Sequence, residues 1–175
     1  YRWNVSIPLE SLQKIINSQI GELYSASPEC VLTLNEDGEY VSKPIDSVGH
    51  LQKIATGTRL SGGVLNELII YGDEATVKVV RELNIRKILK PYGNNVNKKD
   101  GSVNNQMSMM PSAYFVIDPI MEDGSLSGYT FVGGGYGHGA GMSQNAVKVM
   151  AQTMSCQEIL KYFYSGIDIT GIYNE

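Results

Sequence analysis

Residues 51–80, "LQKIATGTRLSGGVLNELIIYGDEATVKVV", decide the fold class. Apolar and β-branched runs are broken at Gly62-Gly63 and Gly72-Asp73, so the stretch reads as strands joined by turns. Working toward the N-terminus, "CVLTL" and "EYVSK" flank "NEDG" as a hairpin. Before them, "NVSIPLESLQKIIN" places Leu9, Leu12, Ile15 and Ile16 on one face of a helix. That helix is expected to take Ser6 as its cap and Pro8 near its first turn, with Gly21 following it.

Toward the C-terminus, "LNIRKILKP" reads as a short helix, with Asn84 as its cap. Ile85, Ile88 and Leu89 face inward and Pro91 prevents continuation. Residues 92–106, "YGNNVNKKDGSVNNQ", are polar and asparagine-rich, and read as an exposed loop or insertion. "SAYFVI" is a strand, "DPIMEDGSLSG" a loop, and "YTFVGGG" a strand dissolving into glycines. Two helices then close the chain. The first carries an apolar stripe of Ala146, Val147, Met150, Ala151 and Met154. In the second, Ser155 and Glu158 have capping-box spacing, Ile159, Leu160 and Phe163 pack inward, and Gly166 stops it. Strands in the middle with helices at the ends predict an α+β fold. Its core is a mixed or antiparallel sheet with short helices, and two C-terminal helices follow a glycine-rich loop.

The 175 residues amount to about one domain. Apolar residues make up 42%, enough for a core. The net charge of -4 argues against a nucleic-acid partner, which calls for clustered Lys and Arg. No apolar run reaches the roughly 18–20 residues of a membrane span. The chain opens "YRWNVS" without a methionine or a signal peptide, so it is expected to be a fragment or a processed form. Cys30 and Cys156 are isolated thiols outside any C-x-x-C spacing. His50 reads as an ordinary surface or core histidine.

Function concentrates in "FVGGGYGHGAGMSQ", Phe131–Gln144, which holds six glycines between Gly133 and Gly141. Glycine lets backbone approach a ligand closely and makes positive φ cheap. In an extended segment, Gly133, Gly135, Gly137, Gly139 and Gly141 would clear one face, while Tyr136 and His138 project from the other. Ser143 is a natural N-cap, so the first amides of a helix would follow the histidine and be able to face an anion.

Against a structural glycine turn stand three functional readings. Gly135-x-Gly137-x-x-Ala140 loosely fits a dinucleotide loop. It fails because Glu158, at the right distance, sits in a helix cap rather than at a second strand's end. A metal site would have to be completed by carboxylates, and no ligand spacing is visible, so neither metal nor cofactor is expected. The third reading is a carbohydrate groove, which composition alone does not select.

The stretch "YTFVGGGYGHGAGMSQNAVKVMAQTMSCQEILKYFYSG" resembles the signature of the stage II sporulation protein D (SpoIID) family, related to the LytB amidase-enhancer proteins. In that signature a G-x-G-x-G-H-G-x-G-M-S-Q run precedes a helix and then an E-I-L-x-x-Y-Y-type helix. Upstream, "YRWNVSIPLESL" is similar to the family's tryptophan strand and helix. "SGGVLNELIIYGD", "IRKIL" and "PSAYFVI" are similar to later elements. Asn145 replaces the family's usual glycine, Pro111 stands where an arginine often precedes the serine matching Ser112, and 92–106 looks inserted.

The resemblance implies a bacterial lytic transglycosylase, cleaving β-1,4 bonds of denuded peptidoglycan strands in sporulation or cell-wall remodelling. The family's acid is a glutamate in an N-terminal half. Glu10 and Glu22 do not match its spacing, so residues 1–175 are expected to be one domain forming the C-terminal portion, inactive alone. His138, Ser143 and Gln144 would then support catalysis, while Tyr136, Gly137 and Gly139 bind the saccharide. The alternative is a non-catalytic, glycan-binding or amidase-enhancing module. Implied partners are glycan strands, other wall hydrolases or sporulation proteins. The implied setting is extracytoplasmic, in the wall or between forespore and mother cell, with a parent chain that a membrane anchor would suit.

Overall fold

The computed structural model describes residues 1–170; of the expected single domain, residues 171–175 lie outside the described residues. The fold is α+β with two antiparallel sheets. The chain divides into two compact units, Tyr1–His138 and Gly139 onward.

In the first unit, β1 (Arg2–Pro8) buries Trp3, Val5 and Ile7 on one face. Ser6 points to the other face, where its hydroxyl hydrogen-bonds Thr130 Oγ1 at 2.8 Å. Ser6 is therefore a strand residue and not the helix cap expected of it. Instead α1 (Leu9–Ala26) starts directly after Pro8, whose side chain caps nothing. Its buried stripe Leu12, Ile16, Ile20 and Leu23 follows the helical i+4 and i+3 spacing. Each of these side chains contributes about 1.5–3 kcal/mol by leaving water.

Gly21 does not end this helix. It faces Asp46, whose Oδ1 would lie 2.8 Å from a Cβ at that position, so close packing rather than termination explains the glycine. Polar side chains of α1 also serve the neighbouring chain. Asn17 donates to Gly49 O and accepts from Val48 N (2.9 and 3.0 Å), and Gln13 Oε1 accepts from Leu51 N at 2.9 Å.

One sheet runs β3-β2-β6-β5-β4, built from β2 (Val31–Leu34), β3 (Tyr40–Val41), β4 (Leu51–Thr56), β5 (Glu67–Gly72) and β6 (Thr76–Val80). The hairpin around "NEDG" and the turn at Gly72-Asp73 join these strands as the sequence indicates. The short helix α2 (Glu82–Ile88) follows, with Ile85, Ile88 and Leu89 fully buried. Asn84 lies inside α2, donating from Nδ2 to Val80 O at 3.1 Å. The N-cap is Arg81, with φ 69 and no side-chain cap bond.

The other sheet runs β8-β7-β1-β10-β9, with β7 (Val96–Lys98), β8 (Val103–Asn104), β9 (Phe115–Glu122) and β10 (Ser125–Gly134). Two expected loops turn out otherwise. The polar 92–106 segment folds into the β7–β8 hairpin, docked on β1 through Trp3↔Lys98 and Asn4↔Asn97. "DPIMEDGSLSG" is the centre of the β9–β10 hairpin. Asp123 and Gly124 form its two-residue turn with φ 48 and 78, the left-handed pair such a hairpin turn demands. Pro119, which reads as a strand breaker, is tolerated because β9 is an edge strand.

The sheets are tied by Tyr129 on β10, whose hydroxyl accepts from Ile54 N on β4 at 3.0 Å. The core of the unit includes an aromatic row in which Trp3, Phe115 and Phe131 meet edge to face, with centroids 6.0 and 5.7 Å apart.

The second unit holds α3 (Gln144–Met150) and α4 (Cys156–Phe163). Ser155 and Glu158 make the reciprocal capping box. Among the described residues Ile159 is the buried member of this unit, while Ala146, Val147, Met150, Met154, Leu160 and Phe163 are half-buried. No helix among the described residues is long and apolar enough to cross a membrane.

Candidate functional site

Gly133 and Gly134 end β10 for a steric reason. A Cβ on Gly133 would overlap the Trp3 indole, and one on Gly134 would lie 2.6 Å from Arg2 Nη1. Past Gly134 the chain is not extended. Gly135, Gly137, Gly139 and Gly141 have φ of 81, 104, 72 and 71, so alternate glycines serve left-handed backbone instead of clearing one face of a strand. Backbone bonds pin this path inside the first unit. Gly134 N donates to Tyr114 O, Gly135 N to Tyr1 O and Gly137 N to Pro111 O, at 2.8–2.9 Å. Buried Ser112 donates from Oγ to Gly134 O at 2.7 Å.

Tyr136, Gly137 and His138 thus close the first unit. Tyr136 is 70% exposed and meets the Tyr1 ring edge-on at 5.4 Å. His138 is exposed. Gly139, Ser143 and Gln144 belong to the second unit. There Met142 N donates to Tyr164 Oη at 3.3 Å. Ser143 is the N-cap as expected, its Oγ accepting from Ala146 N at 3.3 Å, and exposed Gln144 opens α3. At seven residues α3 is short, so little macrodipole builds up at its start and one of its free amides is already taken by Ser143. The anion-receiving role expected of that helix start is correspondingly weak.

Glu10 and Glu22 both stand exposed on α1. His50 is exposed, its backbone N–H donating to Asp73 Oδ1 at 2.6 Å. Cys30 is buried and Cys156 exposed, both as free thiols. Burial pushes the Cys30 thiol up, and its hydrogen bond to Glu29 Oε1 at 3.4 Å adds to that. No group of three or more His, Cys, Asp or Glu side chains suited to a metal ion occurs among the described residues.

Reasoning along the chain missed a groove of about 670 Å³ in the first unit, walled by Arg2, Asn4, Arg59, Lys98 and Lys99 and floored by the Trp3 and Phe115 region. No local motif announces it, because its residues come from β1, the loop before β5, the β7–β8 hairpin, the start of β9 and the end of β10.

A family model described as a domain of unknown function (DUF8618) matches residues 87–141, from the end of α2 through the β7–β8 hairpin and β9–β10 to Gly141. No curated protein and no solved structure matches the chain.

Proposed function

We propose that this chain engages peptidoglycan glycan strands and supplies the saccharide-orienting half of a lytic-transglycosylase-type site. The observation that carries the reading is the path of Gly135–Gly141. Left-handed glycines alternate around exposed Tyr136 and His138, and a helix capped by Ser143 follows, in a stretch that resembles the SpoIID signature. Backbone stripped of Cβ atoms suits close approach by a polyhydroxylated ligand, and a phenol, an imidazole and an amide supply donors and acceptors for hydroxyl groups.

In the reaction, a carboxylic acid protonates the glycosidic oxygen as the C1–O bond breaks. The sugar's own C6 hydroxyl then attacks C1 and gives up its proton to the resulting carboxylate, which leaves a 1,6-anhydro end. Because that hydroxyl is tethered, its effective concentration is high. His138, at the end of the first unit, would orient the saccharide; for Ser143 and Gln144 in the second unit the resemblance alone implies a supporting role. A carboxylate from another segment or chain would be the acid.

A non-catalytic glycan-binding or amidase-enhancing module is the second reading. It is drawn from the resemblance of the glycine-rich stretch to the signature shared with the LytB amidase-enhancer proteins. Extracytoplasmic placement and wall-hydrolase or sporulation partners follow from either reading.

The test is incubation of the chain with denuded glycan strands, with chromatography for 1,6-anhydro products and a parallel binding measurement. Binding without turnover is expected, and combined His138→Ala and Gln144→Ala should weaken it about tenfold or more. Strong turnover by this chain alone sinks the half-site reading. Unchanged saccharide binding in the double variant sinks the site assignment.

A further inference from the structure

The groove beside β1 combines features that the glycan reading does not use. Its wall presents Arg2, Arg59, Lys98 and Lys99, and no Asp or Glu lines it, in a chain whose net charge is -4. The three ion pairs among the described residues, Lys78–Glu67, Arg81–Glu29 and Arg86–Glu82, involve none of the four.

The Arg59 guanidinium is held in place by backbone carbonyls, donating to Gly63 O at 3.0 Å and Phe115 O at 2.6 Å. Those bonds orient the group and leave its charge uncompensated. Lys98 and Lys99 are delivered by the β7–β8 hairpin, which Lys99 N ties to Arg2 O at 3.0 Å. Asp100, on the same hairpin, lines a smaller adjoining cavity with Tyr1, Arg2, Lys98 and Lys99. Its carboxylate is engaged by Ser102 N and Oγ (2.9 and 2.6 Å), so it offsets part of the charge at one end without occupying the groove. Asn97 Nδ2 donates to Asn4 Oδ1 at 3.2 Å, which turns Asn4 Nδ2 and Asn97 Oδ1 to pairing with hydroxyls as one donor and one acceptor.

Asp100 offsets part of the Lys98 charge, and none of the four cations is in an ion pair among the described residues. Like charges gathered in this way repel one another, and an anion entering between them relieves that repulsion. The Arg2 fork matches carboxylate geometry, and Arg59, whose Nη1 and Nη2 each already donate to a carbonyl, adds a fixed positive charge. With four cations at the groove and an acidic net charge over the chain, the footprint is too small and too local for a nucleic acid.

We propose that this groove binds a carboxylate-bearing saccharide chain, with Arg2, Arg59, Lys98 and Lys99 receiving the carboxylates. Within the glycan reading, on which this rests, the ligand is a peptide-stripped strand, whose muramic acid residues expose free lactyl carboxylates. The polar hairpin then has a role: it brings two of the four cations to the groove.

The chain's single tryptophan, Trp3, lines the groove, so its emission reports occupancy there. Three probes are titrated into the intact chain: a denuded muramic-acid-containing tetrasaccharide, neutral chitotetraose, and a short poly(glycerol phosphate). The tetrasaccharide is expected to shift the emission saturably and to bind about tenfold or more tighter than chitotetraose. That preference should shrink as salt rises. Lys98→Gln with Lys99→Gln, on a surface hairpin, should erase the preference while leaving the circular dichroism and melting curve unchanged. Arg59→Gln should act likewise, and its melting curve reports any loss from the two carbonyl bonds.

Equal binding of both saccharides overturns the groove proposal and leaves the glycan reading standing. Tighter binding of poly(glycerol phosphate) than of the tetrasaccharide overturns the carboxylate assignment. Binding of none of the probes overturns both readings. A preference that survives the lysine double variant overturns the residue assignment.

Discussion

The two units of this chain reach order by different means. In Tyr1–His138, two sheets and two helices share one apolar core, where Val5, Ile7, Leu12, Ile16, Leu68, Ile70, Val77 and Phe131 are all removed from water. From Gly139 onward Ile159 is the buried residue among those described, and the helices are seven and eight residues long. Isolated helices of that length are marginal, so caps and half-buried stripes carry the second unit while hydrophobic burial carries the first. Order through burial depends on residues distant in sequence. Order through caps depends on neighbours three positions apart.

The largest effect that could break this contrast lies in the first unit. Phe131→Ala empties a fully buried site against Phe115 and should cost about 3–5 kcal/mol, read as a lower urea midpoint with an unchanged slope. A loss below about 1 kcal/mol would show that the core is looser than its burial indicates.

A smaller effect is expected at the capping box. Ser155→Ala should cost α4 about 1 kcal/mol, seen as faster amide exchange in Cys156–Phe163. Equal loss of protection at β1 would break the contrast.

The same box predicts a pH response. The Ser155 backbone N–H, and then its hydroxyl, hold the Glu158 carboxyl below its ordinary value. A carboxyl lowered on folding stabilises the folded form above that ordinary value, and the contribution is lost as pH falls through the lowered one. Exchange in α4 should therefore speed up on acidification, and Glu158→Gln should remove much of that dependence.

The gentlest probe is alkylation. Exposed Cys156 should react with a maleimide in the folded chain, while Cys30, buried and with its thiol pushed up, should react only on unfolding. Equal rates would show that the first unit opens as readily as the second.

Much of the secondary structure was legible where local chemistry dominates. The Ser155–Glu158 spacing, the Ser143 cap and the "NEDG" hairpin each depend on residues within a few positions of one another. The misread elements were settled by partners far away. Ser6 is a strand residue with Thr130 across from it, and Gly21 lies inside α1 where Asp46 packs close enough to leave little room for a Cβ. Pro119 survives in a strand because, among the described residues, β9 is the edge of its sheet. At the candidate site, Tyr136, His138, Ser143 and Gln144 stood out by residue type. The backbone around them did not, since alternate glycines permit both an extended and a left-handed path. Contacts with Tyr1, Pro111 and Tyr114 are what select the second.

The sequence by itself determined the α+β class, the capped helices at the end of the chain and the glycine–histidine stretch, because each rests on local preference or periodicity. Only the tertiary structure decided that Arg2, Arg59, Lys98 and Lys99 share one groove. Arg2, Arg59 and the adjacent pair Lys98-Lys99 stand far apart along the chain, and only strand pairing between β1 and the polar hairpin, with Arg59 anchored on Phe115, gathers their charges.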